Sequence, residues 1–241
     1  MKKILNFIIS ILFPRTCSLC GKTLPFSSEQ NICNICLENI PKLEGLICHK
    51  CSLPLPDGGA TCSDCKSNKD IYFEVLKAPY TYSTQMKKLI KKLKYSRKQF
   101  LAKDLAAELS KFIVNENIDK NIDVVVPVPM HWFKKWKRGY NQAELLAENV
   151  AKFINKPLRN ALIRTKYTKP QFNLRKGQRK ENLENMFKIN EKYIDYIKGK
   201  RILLIDDIAT TCSTSNQCCK ALREIKAKTI VVTLARATFS L

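Results

Sequence analysis

Two hydrophobic periods alternate along most of this chain. Apolar residues at helical spacing, Met86, Leu89, Ile90 and Leu93, predict a helix over Ser83–Tyr95. Phe100, Leu101, Leu105, Leu109 and Phe112 predict a second over about Gln99–Val114. Similar patterns fall at Asn141–Ile154 and around Ser215–Ile225. Between them lie short apolar runs, Asp123–Met130 (DVVVPVPM), Arg201–Asp206 and Thr229–Ala235, which read as buried strands. Tyr72–Tyr82 alternates and carries β-formers, which suits an entry strand or hairpin. Strands alternating with helices in this way predict a parallel α/β sheet. Arg164–Lys180 is basic and shows no clear period.

The first third of the chain follows neither period. An apolar stretch, Ile4–Phe13, is too short to span a bilayer, and no small-residue cleavage site follows it. It reads as a helix, residues 1–16, packing on the protein or touching the inner membrane face. Residues 17–70 are organised instead by cysteine. Eight of the 11 cysteines form four C-x-x-C pairs: Cys17/Cys20, Cys33/Cys36, Cys48/Cys51 and Cys62/Cys65. The intervals between pairs are 12, 11 and 10 residues, enough for a short hairpin each. Paired thiolates at this spacing form zinc knuckles, and two knuckles close one Cys₄ site. About two Zn²⁺ per chain are expected, either from sequential knuckles or from a cross-braced pairing of alternate ones. Zinc on thiolates implies a reducing compartment, hence the cytoplasm. A segment this poor in large apolar residues needs metal to fold. The α/β unit then occupies residues 71–241.

Charge is uneven. Of a formal net charge of +22, residues 1–70 hold 8 Lys/Arg against 6 Asp/Glu, and residues 71–241 hold 35 against 15. That surplus favours polyanions, although Lys outnumbering Arg 33 to 10 equally suits AT-rich coding. The predicted helix Ser83–Tyr95 carries Lys87, Lys88, Lys91, Lys92 and Lys94, a candidate nucleic-acid contact.

The densest chemistry is in Arg201–Thr214, RILLIDDIATTCST. Four apolar residues deliver Asp206 and Asp207 to a turn of small residues, from Ala209 through Thr210, Thr211, Cys212, Ser213 and Thr214, at the start of a helix. Backbone N–H groups and hydroxyls there suit a phosphate, and the carboxylates suit ribose hydroxyls and Mg²⁺. No Gly-Lys-Ser/Thr follows, so this is not a P-loop. The segment resembles the PRPP (5-phosphoribosyl 1-diphosphate) motif of type I phosphoribosyltransferases. Cys212 stands where that motif has Gly, whose missing side chain permits positive φ and close approach of a phosphate.

A second loop, after the VPVP run, leads through His131-Trp-Phe-Lys-Lys-Trp-Lys137-Arg138 to Gly139, Tyr140 and Asn141. Trp132, Phe133, Trp136 and Tyr140 interleave there with lysines and could stack on bases, although packing of some into the core is as natural. The cysteine knuckles behind Leu-Phe-Pro, the VPVP run, Arg138–Ala147 (RGYNQAELLA), Thr168–Asn182 before Asn185-Met186-Phe187, and RILLIDDIATT together resemble the ComF family. The resemblance spans nearly the whole chain. It implies a type I phosphoribosyltransferase-like parallel sheet preceded by a double zinc ribbon, and a role in bringing single-stranded DNA into the cytoplasm during natural transformation, beside DNA-uptake machinery at the inner membrane. It further implies that Asp206 and Asp207 contact ribose and Mg²⁺, that Thr210, Thr211, Ser213 and Thr214 hold the 5-phosphate, and that Lys137, Arg138 and Arg179 meet pyrophosphate. A catalytically active phosphoribosyltransferase acting on a nucleobase or small amine is the alternative. No residue identifies the acceptor.

Overall fold

The structure, a computed structural model, describes residues 14–96, 98–165 and 186–237. Most of the apolar N-terminal segment, the expected basic loop Thr168–Asn182 and Arg179 lie outside the described residues. In chain order come helices α1 (Asn34–Glu38) and α2 (Ser63–Ser67), strands β1 (Val75–Lys77) and β2 (Tyr80–Thr81), and helices α3 (Thr84–Tyr95) and α4 (Leu101–Asn115). Strand β3 (Val124–Pro127), helices α5 (Trp132–Arg138) and α6 (Gln142–Phe153), and strands β4 (Leu162–Arg164) and β5 (Phe187–Ile189) follow. Helix α7 (Ile194–Ile197), strand β6 (Arg201–Ala209), helix α8 (Ser213–Glu224) and strand β7 (Lys228–Arg236) complete the order.

The main sheet has the order β1-β7-β6-β3, all parallel, with β2 also on β7. Tyr72–Tyr82 is therefore not a hairpin but two short strands on one partner. Pro79, which has no N–H to give the ladder, separates them. Side chains alternate across the sheet and build a core on each face. Leu203, Ile205, Val232 and Leu234 pack with Leu105, Leu109, Leu146 and Val150 on one side. Ile202, Leu204 and Val231 pack with Phe187, Cys218, Cys219 and Leu222 on the other.

Helix α3 begins where the Ser83 hydroxyl accepts the Met86 N–H at 3.3 Å. It buries Met86, Leu89, Ile90 and Leu93, the stripe that predicted it. Truncating a buried leucine of this kind to Ala typically costs about 2–5 kcal/mol.

The cysteine-rich segment is divided between the two faces. Cys17, Leu24, Ile32 and Ile40 share the core of α3 and α4. Lys88 Nζ and Lys92 Nζ donate to the carbonyls of Leu19 and Ser18 at 2.8 and 2.6 Å, and the Asn31 N–H donates to Asp104 Oδ2 at 2.6 Å. The second half sits over β1: Leu76 N–H donates to Lys50 O at 2.9 Å, and Ser52 Oγ donates back to Leu76 O at 2.7 Å. Among the described residues no helix is long and apolar enough to cross a membrane.

Candidate functional site

Strand β6 does not stop at the carboxylates. Its ladder with β7 continues through Ile208↔Ala235 and Ala209↔Arg236, so Asp206 and Asp207 lie inside the strand and are buried. The loop proper is Thr210–Cys212. Cys212 caps α8 with φ 58° and ψ 3°, the left-handed conformation that a glycine adopts without strain. The departure noted in the sequence thus falls on a position where a side chain is disfavoured. Thr210, Thr211 and Thr214 are exposed, and Thr211 Oγ1 and Ser213 Oγ lie 2.9 Å apart. Helix α8 has no acidic residue in its first turn, so its positive end meets the loop without an acid of its own.

The two carboxylates have different surroundings. Asp207 forms an ion pair with Lys94, which reaches across from α3. Asp206 Oδ1 accepts the Asp207 N–H at 2.8 Å. Burial, reinforced by the neighbouring Asp207 charge, pushes the Asp206 carboxyl well above the usual carboxylate range. Burial alone would discharge Lys94, but Asp207 and then Asp206 outweigh it and hold the ammonium charged. Burial likewise lowers the pKa of Arg164 on β4, while Cys218 and Asp206 favour its charge. One strand-borne acid is thus neutralised by a lysine and the other favours its proton.

Lys94 therefore serves the carboxylates and not the outer face of α3, where the sequence grouped it with Lys87, Lys88, Lys91 and Lys92. Lys88 and Lys92 are bound to the cysteine segment, leaving Lys87 and Lys91 as the exposed members without such a tether. Helical spacing gives the stripe of a helix but not the neighbour that each polar residue meets. Arg164 was not singled out either, since β4 and β5, a separate antiparallel pair, are only three residues each.

The basic loop after β3 contains helix α5, with Gly139 at φ 86° ending it. Arg138 bonds the Gln142 side chain and lies 5.1 Å from the Tyr95 ring centroid, and its charge is felt by Lys94. Lys137 is exposed. Asn141 caps α6, accepting from Ala143 N–H at 3.1 Å and donating to Val128 O at 3.0 Å, which fixes the loop against its strand. Arg138 is thereby held near Lys94, the partner of Asp207.

The cysteines gather into two sets, Cys17, Cys20, Cys33 and Cys36, and Cys48, Cys51, Cys62 and Cys65, with all sulfurs of a set within 4.8 Å of one another. This is the sequential pairing; His49 belongs to neither set. Zinc at about 2.3 Å from four sulfurs requires sulfurs about 3.8 Å apart in a tetrahedron. Cys20 and Cys33 are 3.9 Å apart, and Cys51 and Cys62 are 3.6 Å apart. Backbone N–H groups of Leu19 and Cys33 point at Cys17 Sγ from 3.4 and 3.3 Å, as thiolate ligands require. Both sets fit zinc.

The second set touches the hydroxyl loop. Cys51, Cys62 and Cys65 share with Thr211, Cys212 and Ser213 the lining of a cavity of about 240 Å³. Arg236 at the end of β7 donates to Cys51 O at 2.9 Å and to Ala209 O at 3.1 Å, and also bonds Thr210 O. A hydrogen bond from Cys212 is the largest influence lowering the Cys51 pKa. Asn216 of α8 spans from Asp70 O (2.7 Å) to Tyr72 N–H (2.8 Å). None of Arg236, Asn216 or the Cys212–Cys51 contact was singled out from sequence, because each joins residues more than 140 positions apart.

Residues 8–66 match the double zinc ribbon domain family. The chain is 28% identical over 215 residues to "Competence protein F" of Haemophilus influenzae, covering 87% of this chain and 92% of that protein. It is 27% identical over 205 residues to "DNA utilization protein YhgH" of Escherichia coli K12, covering 83% and 87%. With "Competence protein ComFC" of Bacillus subtilis it shares 27% over 203 residues, 81% and 79% of the two chains. Among solved structures, an allosteric regulatory enzyme of purine biosynthesis matches 55% of this chain and 25% of its own at 21% identity and a TM-score of 0.38. The chain is thus similar to competence proteins F and ComFC along more than four-fifths of its length, with a match to the double zinc ribbon at its N-terminal end.

Proposed function

We propose that this protein is a phosphoribosyltransferase-like, PRPP-binding factor that acts in DNA uptake and engages single-stranded DNA. The observation that carries the reading is the buried Asp206–Asp207 pair, separated by only two strand residues from the exposed hydroxyl loop at the start of α8. Asp206 and Asp207 hold the ribose hydroxyls and, through water, Mg²⁺. Thr210, Thr211, Ser213, Thr214 and the N–H groups of the first turn of α8 receive the 5-phosphate. Lys137 and Arg138 meet the pyrophosphate, with Arg179 from the basic segment. Lys94 pairs with Asp207 and orients it. The competence and DNA-utilization names of the relatives support the cellular role, and the basic surplus of residues 71–241 supports a polyanionic partner. The protein works in the cytoplasm, at or near the inner membrane.

The alternative, transfer of the phosphoribosyl group to a nucleobase or small amine, draws on the same loop. Arg138 beside Lys94 and Asp207 would then stabilise departing pyrophosphate. Two assays on zinc-loaded protein separate the readings: pyrophosphate release from Mg–PRPP with a panel of acceptors, and titration of a single-stranded oligonucleotide against salt. The proposed function expects binding that weakens in salt, with a slope of roughly −0.7 per phosphate contacted. Failure to bind single strands even at low salt, together with acceptor-dependent pyrophosphate release, would establish the enzyme reading instead.

A further inference from the structure

Helix α5 leaves three aromatic side chains in water. Trp132 is 70% exposed, Trp136 77% and Phe133 40%. Large aromatics are seldom left so open, because each removes substantial apolar area from water when covered. Tyr140, which follows the helix, behaves otherwise: it is buried and its hydroxyl bonds Leu93 O. The four aromatics of this stretch are therefore not one group.

Trp132 and Trp136 stand four residues apart, on one face of the helix and about 6 Å apart along its axis. The Phe133 and Trp136 rings stack with centroids 6.2 Å apart and planes 29° apart. The same seven residues carry Lys134, Lys135, Lys137 and Arg138 and no acid. Glu144 pairs with Lys135 at 2.6 Å, and Lys137 is exposed. Beside Trp132 a cleft of about 250 Å³ opens between apolar walls, Pro129 and Met130, and polar groups, Asn160 and Arg164. Aromatic faces set among cations, next to a cleft with hydrogen-bonding edges, match the chemistry of an unpaired nucleic-acid strand: bases stack and phosphates pair.

We infer that α5 is the base-stacking platform on which single-stranded nucleic acid docks, with bases on Trp132 and Trp136 and the phosphates along Lys137 and its basic neighbours. The inference rests on the proposed DNA-binding role and moves its centre from α3, where three of the five lysines have other partners, to α5. A protein partner would more usually meet such a patch with an apolar core free of charge. Here four cations share the seven residues with the three rings.

The chain has two tryptophans, and both are on this helix, so intrinsic fluorescence reports the site directly. An oligothymidine strand titrated into zinc-loaded protein is followed by tryptophan emission and, in parallel, by anisotropy of a labelled strand. Quenching with the same midpoint as the anisotropy is expected. Trp136→Ala should weaken binding about tenfold, the equivalent of about 1.4 kcal/mol of lost stacking, and Trp136→Phe should retain most of it. Anisotropy that rises while emission stays unmoved, with Trp132→Ala/Trp136→Ala binding as the parent does, would overturn the platform but leave DNA binding intact. No anisotropy change at low salt would remove the DNA reading and this inference with it. Quenching by vesicles of anionic phospholipid and not by the strand would assign the patch to a membrane surface and overturn the inference as well. Should the double variant fail to fold, the quenching test on the parent protein decides alone.

Discussion

Lys94 of α3 forms an ion pair with Asp207 of β6, and both side chains are largely shielded, at 21% and 4% exposure. The pair holds a helix of the first core to the strand that carries the candidate site. Removing one partner of such a pair strands the other's charge, which typically costs about 3–5 kcal/mol. Lys94→Met should therefore lower stability in urea more than Lys94→Met combined with Asp207→Asn, which removes both charges. If the double variant is the less stable of the two, the ion pair does not govern this junction.

The two cysteine clusters should not be equivalent. Metal analysis of reduced protein should give about two zinc ions, falling to one in either Cys36→Ser or Cys65→Ser. Only the second cluster shares a cavity with Thr211, Cys212 and Ser213 and is tied to the loop through Arg236. Cys65→Ser should thus weaken PRPP binding severalfold, while Cys36→Ser leaves it near the parent value. Equal losses in the two variants would mean that zinc supports the fold generally and not the loop in particular.

Cys212 offers a test of the loop's backbone. A non-glycine residue at φ 58° carries a cost on the order of 1–2 kcal/mol. Against that stands the contact with Cys51, which Cys212→Gly would remove. The glycine variant should bind PRPP as tightly as the parent or more tightly, with thermal stability equal or slightly raised. Tenfold weaker binding by calorimetry would show that the sulfur contact, not backbone freedom, sets the loop.

Asp104 joins α4 to the first zinc ribbon by accepting the Asn31 N–H at 2.6 Å. Burial raises its pKa, the Asn31 hydrogen bonds only partly countering it. A carboxyl raised in the fold favours stability while protonated, and that contribution is lost as pH rises through its folded pKa. Asp104→Asn keeps an acceptor and removes the buried charge. It should be at least as stable as the parent above neutral pH, and the difference should vanish on acidification as the parent becomes protonated. A melting curve showing the variant less stable at every pH would reverse that sign.

How much of this was legible beforehand differs by the kind of contact involved. The α3 stripe, the β3 and β6 runs and the four C-x-x-C pairs are local patterns, and a local pattern suffices to locate them. The sequential choice between the two zinc pairings needed three dimensions, because spacing permits both. Residues such as Lys94, Arg164 and Arg236 were hidden for the same physical reason: a charged side chain on a helix or strand end reads as solvated until its partner, distant in sequence, is placed against it. Helix α5 reads as a loop in the sequence because its seven residues have no buried stripe, all of its apolar side chains being aromatic and turned toward water. The end of β6 was set too early, at the acids, since buried carboxylates interrupt an apolar run without interrupting the ladder.

On the proposed function, Asp206–Thr214 holds PRPP. Isothermal titration of Mg–PRPP into zinc-loaded protein, with the parent beside Asp206→Asn/Asp207→Asn, tests it most directly. Saturable one-site binding to the parent and none to the double variant is expected, with zinc content and circular dichroism unchanged. Undiminished affinity in the double variant, or no heat of binding in the parent, would contradict it.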